Sequence, residues 1–226
     1  MTSPPGRSTP STVVFDLGGV LVDWDPRYLY RRLLPDEAAV ERFLAQVCTA
    51  EWNAAQDAGR SWADAVAEAT ARFPDHAELI AAYDQRWSET IGGEIAGTVE
   101  VLRDLREGGL PTYALTNWSG EKFDLTFPMF EWLSWFDGIV VSGREGIVKP
   151  DPRIFAILLD RYRLDPSSTV YVDDAEANVD AARAAGMAGV LFTGPDRLRS
   201  DLRRLGLLSG DGSGRPSVAG TGAHLP

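Results

Sequence analysis

Short runs of β-branched and aromatic residues alternate with stretches whose apolar positions recur every three to four residues. The runs TVVFD (12–16), PTYALTN (111–117), GIVVS (138–142), TVYVDD (169–174) and GVLF (189–192) have strand length and strand composition. Between them, TVEVLRDLREGG (98–109) carries apolar Val99, Val101, Leu102 and Leu105 ahead of a Gly-Gly stop, the mark of an amphipathic helix. DPRIFAILLDRYRL (151–164) opens with an aspartate and puts proline at the first helical position. AEANVDAARAAGM (175–187) and PDRLRSDLRRLGL (195–207) read as two further helices. This alternation predicts an α/β fold, with a parallel sheet covered by helices on both faces in three layers.

The stretch 26–96 breaks the alternation and is helix-like throughout, with no strand expected. Its aromatics include Trp52, Trp62, Trp87, Tyr28, Tyr30, Phe43, Phe73 and Tyr83. They suit a small core of their own, so 26–96 reads as a helical subdomain inserted after the first strand, with 12–25 and 97–207 forming the main domain. The N-terminal 1–11 and the Gly-, Ser- and Pro-rich 208–226 are expected to be disordered.

Composition narrows the function classes. With 226 residues and 44% hydrophobic content, the chain can build a sizeable core. Cys48 is the single cysteine, so no intramolecular disulfide is possible and a reducing, cytoplasmic location is expected. The net charge of −11 argues against nucleic acid or an anionic membrane as partner. It does not exclude an anionic substrate, because a bound divalent cation inverts the sign locally. No leader-like segment opens the sequence, and no window approaches the ~20 apolar residues of a membrane span. His76 and His224 look incidental, and no His/Cys metal cluster exists. Oligomeric state is not readable.

Four polar positions share one address, immediately after a predicted strand: Asp16, Thr116 with Asn117, Lys149, and Asp173 with Asp174. In open parallel sheets, ligands bind beyond the carboxyl ends of the strands. Taken singly, Asp16 before Gly18-Gly19 could form a turn, Thr116-Asn117 could cap a helix and Lys149 could be a solvated lysine. Asp173-Asp174 is harder to dismiss, since adjacent acids at the end of an apolar strand repel unless a cation or hydrogen bonds compensate.

Together, VVFDLGGVL, YALTNWS, GIVKPDPRIF and YVDDAEANVDAARAAGM resemble the haloacid dehalogenase-like hydrolase superfamily, in order, from 12 to about 193. The similarity is to its phosphatase branch, which includes bacterial sugar-phosphate phosphatases such as those acting on glucose 1-phosphate. It implies a Rossmann-like core with a small helical cap at the position of the insert. It further implies a Mg²⁺-dependent phosphatase acting on a small phosphorylated metabolite. Asp16 would be the nucleophile that forms an aspartyl-phosphate. Mg²⁺ would sit among Asp16, the Gly18 carbonyl and Asp174, with Asp173 as a further metal-side acid or an anchor for Lys149. Lys149, Thr116 and the Asn117 N–H would bind the phosphoryl oxygens, and Trp118 would lie against substrate or under the insert. Asn178, one helical turn beyond Asp174, would hold a metal-bound water.

One position departs from that pattern. Many phosphatases of the family carry an aspartate where this chain has Gly18, and that acid protonates the leaving group and then activates water. Three explanations remain open. A leaving group that needs no acid, such as an anomeric or acyl phosphate, is favoured. A substitute acid, with Asp23 and Asp25 nearby in sequence, comes next. Loss of catalysis, leaving a phosphometabolite-binding module, comes last. A 2-haloacid dehalogenase would use the same Asp16 without metal, but the Asp173-Asp174 pair would repel an anionic haloacid. Trp24, Arg27 and Trp52 of the cap are further residues that could line the site.

Overall fold

The computed structural model describes residues 9–209. The expectations for 1–8 and 210–226 lie outside the described residues. In chain order the elements are β1 (Thr12–Phe15), β2 (Val22–Trp24), α1 (Arg27–Tyr30), α2 (Glu37–Gln46), α3 (Ala50–Asp57), α4 (Trp62–Arg72), α5 (Ala77–Gln85), β3 (Ile91–Glu94) and α6 (Ala96–Glu107). They continue with β4 (Thr112–Thr116), α7 (Gly120–Thr126), β5 (Gly138–Val141), α8 (Ser142–Glu145), α9 (Pro152–Tyr162), β6 (Thr169–Asp173), α10 (Glu176–Ala184), β7 (Ala188–Leu191) and α11 (Pro195–Arg204).

The five strands β5-β4-β1-β6-β7 form one parallel sheet in that order. Because the pleat sends alternate side chains to opposite faces, Val13 and Phe15 join the core on one face and Val14 the core on the other. Both faces are buried, which is why the central strands read as unbroken apolar runs. Strands β4 and β6 lie on either side of β1, so the chain reverses its direction of travel across the sheet there. The crevice at such a reversal, beyond the strands' carboxyl ends, is where open α/β sheets place ligands. Helix α9 begins as its sequence implies: the Asp151 side chain accepts the Arg153 N–H at 2.9 Å, and Pro152 occupies the first turn.

Residues 27–90 are helical and contribute the aromatic cluster. Tyr30, Phe43, Trp62, Tyr83 and Trp87 are buried, with Tyr83 and Trp87 stacked at 5.7 Å. The cluster is continuous with the core on one face of the sheet. The expectation of no strand within 26–96 is corrected by β3, which pairs antiparallel with β2 where the chain leaves and rejoins the main sheet. Its sequence IGGE hid it, since glycines weaken strand signals. They are required, because a Cβ at Gly92 would collide with Asp23 and Tyr28, and Gly93 has φ 130°. Among the described residues, no helix is long and apolar enough to cross a membrane.

Candidate active site

Strands β1, β4 and β6 end side by side, so Asp16, Thr116 and Asp173 share one rim. Lys149, expected directly after a strand, instead reaches into it from the loop between α8 and α9. Its ammonium lies 2.9 Å from Asp16 Oδ1 and 2.7 Å from Asp173 Oδ2. All three are buried, with Lys149 3%, Asp16 7% and Asp173 0% exposed. Asn117 fixes the lysine from behind: its side-chain amide accepts the Lys149 N–H at 2.8 Å and donates to the Lys149 carbonyl at 3.0 Å.

Asp173 is fully engaged. Its oxygens accept from Lys149, from the Tyr171 hydroxyl at 2.5 Å, from the Ala175 N–H at 2.8 Å and from Asn178 Nδ2 at 3.0 and 3.1 Å. Asn178, expected to hold a metal-bound water, donates through Nδ2 to both Asp173 oxygens. Asp16 is freer. Oδ1 takes both the Leu17 N–H at 2.7 Å and Lys149, and Oδ2 makes no hydrogen bond or ion pair among the described residues.

The electrostatics separate these carboxylates. Burial pushes Asp16 up to about 7; Lys149 opposes the rise, and Asp173 adds to it. Burial works the same way on Asp173, but Lys149, Tyr171 and the Ala175 N–H hold it below the usual carboxylate range. Asp174 is raised by burial and by its neighbour Asp173. Lys149 is raised: burial lowers it, and Asp16 and Asp173 more than restore it.

One oxygen from each of Asp16, Asp173 and Asp174 lies within 4.8 Å of the others. A single lysine serves this trio, so a divalent cation suits the remaining negative charge. The loop is shaped for Asp174: Gly19 has φ 72°, and a Cβ there would collide with the Asp174 carboxylate. The carboxylate oxygens of Asp16 and Asp174, with a backbone carbonyl available at Gly18, make an oxygen donor set of the kind hard cations take.

Near this rim several buried polar groups also lack partners among the described residues. Thr116 Oγ1 is buried and has no hydrogen-bond partner. The indole N–H groups of Trp24, Trp87 and Trp118 have none either. These three tryptophans, with Gly18, Asn53, Asp57 and Asn117, line a cavity of about 50 Å³. Trp24, Asn53 and Asp57 also line a larger cavity of about 370 Å³ within the insert. Trp118 is therefore both buried and at the cavity wall. Trp52 packs against Trp62 and Tyr83, and lines neither cavity.

Asp23 and Asp25, the acids nearest Gly18 in sequence, are committed elsewhere. Asp23 accepts the Tyr28 hydroxyl at 2.8 Å, and Asp25 accepts the Arg27 N–H at 2.9 Å and pairs with its guanidinium at 3.3 Å. Sequence reasoning missed Asp57, Asn53 and Tyr171. Tyr171 carried a usable signal, since residues two apart on a strand share a face; Asp57 and Asn53, on a helix of the insert, carried none.

A family profile described as haloacid dehalogenase-like hydrolase matches residues 10–186. The sesquiterpene phosphatase astK of Aspergillus oryzae is 28% identical, over 88% of this chain and 97% of its own. The phosphoglycolate phosphatase of Xanthomonas campestris pv. campestris is also 28% identical, over 85% of this chain and 87% of its own. Other matched relatives are longer proteins, of which the chain spans 20% and 36%. In fold, the chain is similar to a HAD family enzyme from Bacteroides thetaiotaomicron solved in complex with magnesium and inorganic phosphate. The TM-score is 0.65 at 20% identity, covering 82% of this chain and 95% of that one.

Proposed function

This chain belongs to the haloacid dehalogenase-like hydrolase family, and from that premise we propose that it is a Mg²⁺-dependent phosphomonoesterase working through an aspartyl-phosphate. The observation that carries the reading is the buried Asp16–Lys149–Asp173 arrangement, with Asp174 beside it at the rim.

In this reading Asp16 Oδ2, the oxygen that neither the Leu17 N–H nor Lys149 engages, attacks phosphorus. Two of the three Lys149 ammonium donors are used on carboxylates, and the third is left for a phosphoryl oxygen. The Thr116 hydroxyl, buried without a partner, meets a second phosphoryl oxygen. Asp173 holds Lys149 in place, with its own charge stabilised by Tyr171 and the Ala175 N–H. Mg²⁺ held by Asp16, Asp174 and the Gly18 carbonyl would supply the positive charge that offsets repulsion between carboxylate and phosphate.

For the organic part of the substrate, the sequence resemblance favours a sugar phosphate. The lining of the larger cavity, with Trp24, Leu44, Ala45, Cys48, Ala54 and Tyr83, favours a group with an apolar face, as does the likeness to a sesquiterpene phosphatase. Relative kcat/KM on glucose 1-phosphate and on a prenyl monophosphate decides between them.

The test of the reaction type is release of nitrophenol from p-nitrophenyl phosphate, with Mg²⁺ and with EDTA, by wild type and Asp16→Asn. Metal-dependent release lost in the variant is the expected result. Metal-independent chloride release from 2-chloropropionate would overturn the reading.

A further inference from the structure

Cleaving an unactivated phosphomonoester needs a proton at the leaving oxygen, and position 18 offers no side chain to give one. We propose that Asp57, on the last turn of α3 in the insert, is the general acid and base of this site. The inference rests on the phosphatase reading above.

The geometry supports it in three ways. Among the described residues lining the inner cavity with Gly18, Asn117 and Trp118, Asp57 is the sole ionisable one. It also lines the larger cavity in the insert, so it stands where the organic group of a substrate would meet the phosphate end. Among the described residues no cation pairs with it, and Asn53 Nδ2 donates to Oδ2 at 3.2 Å. Burial accordingly pushes the carboxyl up to about 7, with a hydrogen bond from the Ser119 N–H opposing. A carboxyl so placed is shared between its acid and carboxylate forms near neutral pH, so it can both give and take a proton.

The steps balance as follows. As Asp16 bonds to phosphorus, the bond from phosphorus to the leaving oxygen breaks. That oxygen keeps the electron pair and takes the proton of Asp57, leaving a carboxylate. The Asp57 carboxylate then removes a proton from water while the water oxygen bonds to phosphorus. The bond between Asp16 and phosphorus breaks with its pair returning to Asp16. Orthophosphate leaves, and Asp57 is again protonated.

The experiment uses Asp57→Asn on a series of aryl phosphates from p-nitrophenyl to phenyl, extended to an alkyl phosphate, with Mg²⁺ throughout. Expected is a loss of ~10²–10⁴ on the poor leaving groups and under about tenfold on p-nitrophenyl phosphate. A merely structural role would lower all rates by the same factor, and that result overturns the proposal, as does no loss at all. Thermal melting of the variant shows whether it folds. The double variant Asp57→Asn/Gly18→Asp is the second arm. A Cβ at Gly18 meets nothing within 4 Å, so a side chain can start there without a clash, and the aspartate is expected to restore part of the rate on poor leaving groups. No rescue together with a uniform loss refutes the assignment. Should wild type release nothing from any of these esters, and Asp16→Asn not differ from it, the phosphatase reading itself falls and takes this one with it.

Discussion

Replacing Lys149 with methionine keeps most of the side chain's volume and removes the ammonium held between Asp16 and Asp173. At an effective dielectric of about 20, each of those contacts is worth about 6 kcal/mol of attraction at distances of 2.9 and 2.7 Å. The protein does not lose that sum, because a carboxylate stranded in the interior takes up a proton instead. Asp173 is held charged in the wild type, chiefly by Lys149, and without the lysine its folded-state value rises well above the unfolded one. Protonating it then costs about 1.4 kcal/mol for each pH unit above the unfolded value of 3.8. The deficit of Lys149→Met is therefore about 4 kcal/mol at pH 7 and under about 2 kcal/mol at pH 5. The sign follows from proton counting: the folded variant binds one proton more than its unfolded chain, so its stability falls as pH rises. Asp16 adds less, since it already lies near 7 with the lysine present. Urea unfolding of both proteins at pH 5, 6, 7 and 8 in EDTA reads the deficit directly. A deficit that is constant across this range would refute the argument, because it would mean that lost packing, not stranded charge, is the cost. Turnover is expected to fall by at least ~10², since the same lysine meets the phosphoryl group.

Three other perturbations follow from single observations. Thr116→Val removes a buried hydroxyl that has no partner, so stability should hold or rise by up to about 1 kcal/mol in urea unfolding, while inhibition by inorganic phosphate weakens roughly tenfold. Gly19→Ala places a Cβ at φ 72° against the Asp174 carboxylate; it should cost about 1–3 kcal/mol and weaken Mg²⁺ binding measured by calorimetry. Asp57 has a folded value near 7 against 3.8, so its contribution is fully present below pH 3.8 and lost as pH rises through 7. Wild type should therefore lose up to about 4 kcal/mol relative to Asp57→Asn between pH 4 and pH 8, and parallel stability profiles for the two would contradict the raised value.

The sheet was legible because both of its faces are buried, which turns each central strand into an apolar run ending at a polar rim residue. That is also why Asp16, Thr116 and Asp173 could be gathered from separate parts of the chain, whereas Lys149 ends no strand and lies beyond α8. Finer roles were not legible at that level. Adjacent acids at 173 and 174 look equivalent in sequence. In the fold, Asp173 points back beside Tyr171 into a closed set of donors, and Asp174 turns outward over Gly19. Asn117 reads as a phosphate-side N–H, and nothing in the sequence told that its side chain clamps the Lys149 backbone. Strand β3 was hidden because its glycines answer to clashes with Asp23 and Tyr28, which only the folded chain brings near. Asp57 was hidden because the property that singles it out is a shared cavity with Gly18, and no spacing encodes that.

A proton donor on an inserted segment is useful only if that segment is held in register with the nucleophile, since catalytic groups must be placed to within ~0.5 Å. The contacts between insert and sheet supply that register at the places the chemistry needs it. Ser142 Oγ accepts the Trp118 N–H at 2.9 Å and donates to the Asp57 carbonyl at 2.6 Å, so one hydroxyl joins the phosphate-side loop to the residue carrying the acid. The Trp62 indole donates to Ser119 Oγ at 2.9 Å, and Lys122 reaches back to the Asp84 carbonyl at 2.9 Å over the Trp62 ring. All three ties involve residues of the segments that follow β4 or β5, Ser142 and Ser119 near the strand ends and Lys122 in α7. The rim thus fixes the phosphate end through Lys149 and Thr116 and the leaving-group end through Ser142 and Ser119. A glycine at position 18 then costs the site no catalytic group, because the acid is carried by the insert and aligned by the sheet.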